Sequence, residues 1–254
     1  MNHIIDTHII DTIVKICIKQ YGNKIVSIYV VGSFSRGDSI DTSDLDLKII
    51  FEDDVELDEI GYWEFVRDVK FRIHENIDLS PQWISKIKEW GVGIKYDGKL
   101  LYGKDIRNEI KDPEICEYIK KLKSISKQFS KKMRGLNEID YRNLKYPDEK
   151  DEFYGYIRYE DKFKQLSRLF SLSFISTAKI AIHGNVIVKS KRTIPELYVK
   201  HVDDAFNGWV KNLFYICRDQ WHYRIPENNI DRIKLKDICS KALDFEKDFY
   251  IKCI

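Results

Sequence analysis

Three groups of residues have the types and spacing for chemistry. The first is Gly32-Ser33-Phe34-Ser35-Arg36-Gly37, which follows an apolar run. Glycine there lets backbone approach a ligand closely. Ser33 offers a hydroxyl and an N–H to a phosphate at the start of a short helix, and Arg36 adds a fixed charge with a donor fork. No Gly-Lys-Ser/Thr follows, so the segment is not a P-loop. The second group is Ser43-Asp44-Leu45-Asp46-Leu47. In an extended chain residues 44 and 46 point to the same face. Two adjacent carboxylates repel and are costly to bury beside a core strand. A divalent cation relieves both problems, and Mg²⁺ is commonly held by one or two carboxylates together with substrate phosphates. The third group is Asp78, flanked by Ile77 and Leu79. If its strand neighbours the one that carries Asp46, Asp78 faces the same pocket. Two chemical roles are then open to it: third metal ligand, or general base for an attacking hydroxyl. Capping the turn before Ser80-Pro81 is a competing structural role.

These groups need rigid elements to position them. Residues 4–20 carry apolar side chains at Ile5, Ile9, Ile13, Ile16 and Cys17, the spacing of a helix that Tyr21-Gly22-Asn23 ends. Residues 25–31 (IVSIYVV) are β-branched and apolar on both parities, as in a buried strand. A polar turn over 32–43 leads to a second strand over 45–51 with Asp46 embedded in it. A helix is expected over 60–73, a short strand over 76–79, a helix from 82 to 90 opened by Pro81, and a last strand at 99–103. From about Asp105 the character changes. Lys and Glu mix with helical apolar spacing over 113–133, 152–182 and 193–218, and Pro113, Pro147, Pro195 and Pro226 fall near helix starts or breaks. The expected fold class is α+β: a small mixed sheet flanked by helices in residues 1–110, then an all-α helical bundle in 111–254.

The totals narrow the function classes. The 254 residues include 43 basic and 41 acidic side chains, a net charge of +2 that makes a polymerase-like hold on nucleic acid unexpected. Five scattered cysteines (Cys17, Cys116, Cys217, Cys239, Cys253) show no CxxC spacing and read as reduced thiols in a cytoplasmic protein. The six histidines show no metal-binding spacing. The first residues lack the pattern of a signal peptide, and no apolar run is long enough to span a membrane.

Gly32-Ser33, ten intervening residues, Asp44-x-Asp46 and a later apolar-Asp-apolar step resemble the signature of the DNA polymerase β-type nucleotidyltransferase superfamily. The resemblance is specific over residues 25–51. It implies that residues 1–110 form the catalytic domain, that Gly32 and Ser33 hold a nucleoside triphosphate, that Asp44 and Asp46 bind Mg²⁺, and that Asp78 is metal ligand or base. Within that superfamily the helical half looks most like the aminoglycoside adenylyltransferases. Gly184-Asn185-Val186-Ile187-Val188-Lys189-Ser190-Lys191 is similar to a segment of their C-terminal bundle, which implies that Lys191 reaches the triphosphate; an ordinary basic loop is the competing account.

The activity so implied is Mg²⁺-dependent transfer of a nucleoside monophosphate, AMP from ATP, to a hydroxyl of an aminoglycoside-type antibiotic, with release of pyrophosphate. Asp148, Glu149, Asp151, Glu152, Glu160 and Asp161, with Tyr154, Tyr156 and Tyr159, could receive a polycationic acceptor, although acids also favour helix starts. A lincosamide or a protein hydroxyl would undergo the same chemistry, and an antitoxin-like binding protein is the alternative of a different class. A homodimer is compatible with this reading; nucleic acid and membrane are not expected as partners.

Overall fold

The computed structural model describes residues 7–159 and 165–253. The chain divides into two compact units, Met1–Pro113 and Glu114–Ile254. Ile5, Glu160 and Asp161 lie outside the described residues.

The first unit is built on a four-stranded mixed sheet: β1 (Ile25–Val31), β2 (Leu45–Phe51), β3 (Ile77–Trp83) and β4 (Lys99–Gly103), in the order β3-β2-β1-β4. β1 pairs antiparallel with β2 and β4, while β2 and β3 are parallel. The helices are α1 (Thr7–Tyr21), α2 (Gly32–Arg36), α3 (Glu59–Arg72), α4 (Ile84–Trp90) and α5 (Val92–Asp97). A parallel pair requires a crossover, and α3 supplies it.

Alternation along β2 sorts the two faces of the sheet. Leu45, Leu47 and Ile49 are fully buried and join Ile28 and Val30 of β1 in a core closed by Ile13 and Cys17 of α1 and Tyr62, Val66 and Val69 of α3. The other parity carries Asp46, Lys48 and Ile50. Only Ile50 enters a second core, with Tyr29, Ile87, Ile94, Ile106 and Ile110. The end of this face that carries Asp46 and Lys48 stays half-buried and polar.

β3 is longer than the expected strand at 76–79 and runs through Pro81. It is an edge strand, paired only with β2, so a proline without an N–H costs no ladder bond on its open side. The helix expected from residue 82 starts at Ile84 instead.

The second unit is helical. α6 (Ile115–Arg134) buries Tyr118, Leu122, Ser126, Ser130 and Met133 and ends on Gly135, whose φ of 65° is left-handed. α7 (Ser167–Phe170), α8 (Ser173–Gly184), α9 (Ile194–His201), α10 (Asn207–Lys211), a π-helical segment (Asn212–Arg218) and α11 (Asn229–Cys253) follow. No helix spans 152–182: Tyr154 and Gly155 are left-handed in succession, a conformation a helix cannot continue through. The helix expected over 193–218 is also broken, because Asp203 has φ 47° and the Asp204 carboxylate accepts the Phe206 N–H at 2.9 Å. Among the described residues no helix is long and apolar enough to cross a membrane. All five cysteines are free, and burial pushes the Cys17 thiol up to about 12.

Two buried ionic networks fix the helical unit. Glu246 of α11 is fully buried and paired twice with Arg134, at 2.9 and 3.1 Å, while Ser130 and Tyr156 donate to it at 2.6 and 2.7 Å. Lys179 of α8 lies between Asp204 (2.5 Å) and Asp248 (2.6 Å), with the rings of Tyr198, Phe206 and Phe245 within 6 Å of its ammonium. Fork-shaped pairing and multiple donors are what a buried charge requires.

Candidate active site

Gly32 marks the end of β1, where the chain turns into α2. Its φ is +75°, and a methyl carbon built on it would lie 2.8 Å from Asp46 Oδ2. Glycine is needed twice, for the backbone and for the carboxylate that lies against it. Gly32→Ala is expected to destabilise the protein by about 1–3 kcal/mol. The urea midpoint reads this, and an unchanged midpoint would show that the carboxylate does not press on the turn.

Asp46 sits opposite Val31 in the β1–β2 ladder and opposite Asp78 in the β2–β3 ladder. The two aspartates are therefore direct neighbours on adjacent strands, about 5 Å apart at Cα. Asp44 lies just before β2, half-buried and of the same parity as Asp46. Around it the backbone is tied down: Leu45 donates to Asn76 at 2.8 Å, Ser43 donates to Ile40 at 2.9 Å, and the Ser43 hydroxyl accepts the Ile40 N–H at 2.9 Å. The condition set on Asp78 by the sequence, that its strand adjoin 45–51, is met.

Lys48 was not marked out by the sequence reading. Its ammonium lies 3.6 Å from Asp78 and 2.9 Å from the Ser80 hydroxyl, which donates to Asp78 at 2.8 Å. The signal was present, since 44, 46 and 48 share one parity. Asp44, Asp46, Lys48, Asp78 and Ser80 thus bring three carboxylates and one ammonium to one end of the sheet. Among the described residues no three His, Cys, Asp or Glu side chains gather closely enough to form a metal cage by themselves. The residues present fit Mg²⁺ in an open form: Asp44 and Asp46 could supply hard oxygens, with water and phosphate completing the shell. Asp78 is already engaged by Lys48 and Ser80.

The remaining residues expected at the site are placed as follows. Ser33 is in α2, where its carbonyl accepts the Asp38 N–H at 3.0 Å. Arg36 is committed to carboxylates, 2.9 Å from Asp97 and 3.3 Å from Asp38, and Ser35 donates to the Asp97 carbonyl. These bonds brace α2 against the end of α5, beside a hollow of about 510 Å³ lined also by Lys99 and Arg107. Lys191 belongs to the helical unit, with its ammonium 5.2 Å from the centre of the Phe174 ring. Gly184, at the end of α8, has no room for a side chain because a methyl carbon would meet His201 at 2.6 Å. Three of the described carboxylates of the acidic stretch are engaged locally. Asp148 and Asp151 accept nearby N–H groups, Tyr159 donates to Asp151 at 2.7 Å, and Glu152 pairs with Arg232.

The sheet and its turn are those of a nucleotidyltransferase domain. Residues 11–107 match the family model described as polymerase beta, nucleotidyltransferase. Across both units the fold is similar to that of spectinomycin adenyltransferase AAD(9) from Enterococcus faecialis, solved with ATP and spectinomycin. That match covers 93% of this chain and 98% of that one, with a TM-score of 0.54 and 12% identity. A partial match is found to the complex of tri-AMPylated Shewanella oneidensis HEPN toxin with MNT antitoxin (18% identity, 49% of this chain, 89% of that one, TM-score 0.28). No curated protein matches the chain in sequence.

Proposed function

We propose that the protein transfers AMP from ATP to a hydroxyl of a small molecule of the aminoglycoside type and releases pyrophosphate. One observation carries the reading: Asp46 and Asp78 are ladder neighbours, with Asp44 on the same parity, beside a turn where only glycine leaves room for a carboxylate. A domain that only binds a partner has no use for clustered acids at the polar end of its sheet. The fold shared with AAD(9), whose structure holds ATP and spectinomycin, supports this acceptor class over a lincosamide or a protein hydroxyl.

In this reading Gly32 and Ser33 hold the triphosphate, and Asp44 and Asp46 hold Mg²⁺. The cation, when bound, neutralises phosphate charge and makes the acceptor hydroxyl more acidic. The acceptor oxygen forms a bond to the α-phosphorus as the bond from that phosphorus to the pyrophosphate oxygen breaks. Asp78 takes the hydroxyl proton. Lys48 and Ser80 hold Asp78 in place. Positioning and charge neutralisation supply most of the remaining rate.

The test is pyrophosphate release with Mg²⁺ and each nucleoside triphosphate, against a panel of aminoglycosides, spectinomycin and lincosamides, with mass spectrometry of the acceptor. An aminoglycoside-type acceptor gaining AMP is the expected result. Turnover confined to lincosamides would overturn the acceptor, and turnover with none, with no thermal stabilisation by ATP and Mg²⁺, would overturn the enzyme.

A further inference from the structure

α3 is apolar on two opposite faces. Tyr62, Phe65, Val66 and Val69 face the core. On the outer side Ile60, Trp63 and Phe71 are 75%, 50% and 90% exposed. Ile60, Glu64, Arg67 and Phe71 recur at helical spacing and form one stripe about 16 Å long, and Trp63 flanks it. Among the described residues neither hydrophobic core of the unit includes these three side chains. The three apolar side chains expose on the order of 400 Å², at the upper end of what a monomer commonly leaves bare in one patch.

We propose that this face is the interface of a homodimer, in which α3 packs antiparallel against α3 of a second copy about a twofold axis. The charge order selects that partner. The N-terminal half of the helix carries Glu59 and Glu64, and the C-terminal half carries Arg67, Lys70 and Arg72 against one acid, Asp68, which pairs with Arg72 at 2.7 Å. Antiparallel pairing centred between Glu64 and Arg67 sets Ile60 against Phe71 of the second copy. The same register sets Glu64 against its Arg67. Every contact occurs twice, as an isologous interface requires. Glu59, Ile60, Trp63, Glu64 and Arg67 also line a shallow hollow, and this register brings Phe71 of the second copy to it. In the single chain Arg67 is only 3.8 Å from Glu64 on an exposed surface, an arrangement of little energetic value alone. Opposed helix dipoles add a favourable term. A standard interface buries about 800 Å² per partner; the apolar stripe supplies about half, and the charged rim the rest.

Sedimentation velocity of the full chain at about 100 µM, a concentration that populates even a micromolar dimer, tests the proposal. The wild type is expected to sediment as a dimer and Phe71→Glu as a monomer with an unchanged melting temperature. Glu64→Arg and Arg67→Glu are each expected to weaken the dimer at least tenfold, and the double exchange E64R/R67E to restore it. A monomeric wild type, a dimer untouched by Phe71→Glu, or a double exchange as weak as the single ones would overturn the proposal. None of these residues belongs to the candidate active site, so each readout is independent of catalysis.

Discussion

Asp46→Asn is expected to cost about 10³-fold or more in kcat/KM for nucleotidyl transfer, roughly 4 kcal/mol of transition-state stabilisation. The substitution is nearly isosteric, so the contact with Gly32 is retained while one carboxylate charge is lost from the proposed cation site. Stability should move the other way. Asp46 and Asp78 are ladder neighbours, and like charges directly opposite one another are destabilising by a few tenths to about 1 kcal/mol. Removing one is expected to leave the melting temperature unchanged or slightly raised. Loss of turnover with no loss of stability is the mark of a residue kept for function. Steady-state pyrophosphate release and thermal denaturation on the same preparations check both halves. A variant within tenfold of wild type would show that Asp46 is not needed for the chemistry.

The largest effect on stability is expected from Arg134→Met. Glu246 is fully buried and the Arg134 side chain only 4% exposed. Removing the guanidinium leaves a carboxylate in the core with two hydroxyl donors, Ser130 and Tyr156, and no counter-charge. Breaking such a pair costs about 3–5 kcal/mol, a fall in melting temperature on the order of 10 °C or more. Replacing both partners with apolar residues, R134M/E246L, is expected to recover much of the loss, because the penalty lies in the unpaired charge. Urea denaturation of the two variants separates the cases. A loss below about 1 kcal/mol in R134M would mean that solvent reaches Glu246.

The fold of the first unit was largely legible, and for a definite reason. β1 is an inner strand buried on both faces, so apolar residues occupy both parities with Ser27 the one polar exception, and β2 advertises its two faces by alternation. The edge position of β3 was not legible. Pro81 reads locally as a helix start, and only the sheet order shows that it lies in an edge strand with one side unpaired. For the same reason the neighbourhood of Asp46 and Asp78 was a condition rather than a deduction: a parallel register across a helical crossover is a long-range fact. Lys48 was hidden because a lysine in a strand reads as solvent-facing until the polar end of that face is seen.

The helical unit was read less well. Tyr154 and Asp203 adopt left-handed conformations within two of the expected helical stretches. These breaks turn expected long helices into short ones. α11, the longest helix of the second unit, buries Glu246 in its inward face, and a charge on the core side obscures the apolar periodicity that betrays a helix. Of the acidic stretch, weighed as a helix start against a receptor for a polycation, Asp148 and Asp151 accept N–H groups of their own turns and Glu152 pairs with Arg232.

The central claim is that Asp44 and Asp46 build a cation-dependent ATP site at the polar end of the sheet. Isothermal titration of ATP into the protein, with Mg²⁺ and with excess chelator, tests it most directly. Wild-type protein should bind ATP at least tenfold more tightly with Mg²⁺, and Asp44→Asn and Asp46→Asn should bind equally weakly under both conditions. ATP affinity that ignores Mg²⁺ in the wild type, or that still depends on it in both variants, would contradict the account.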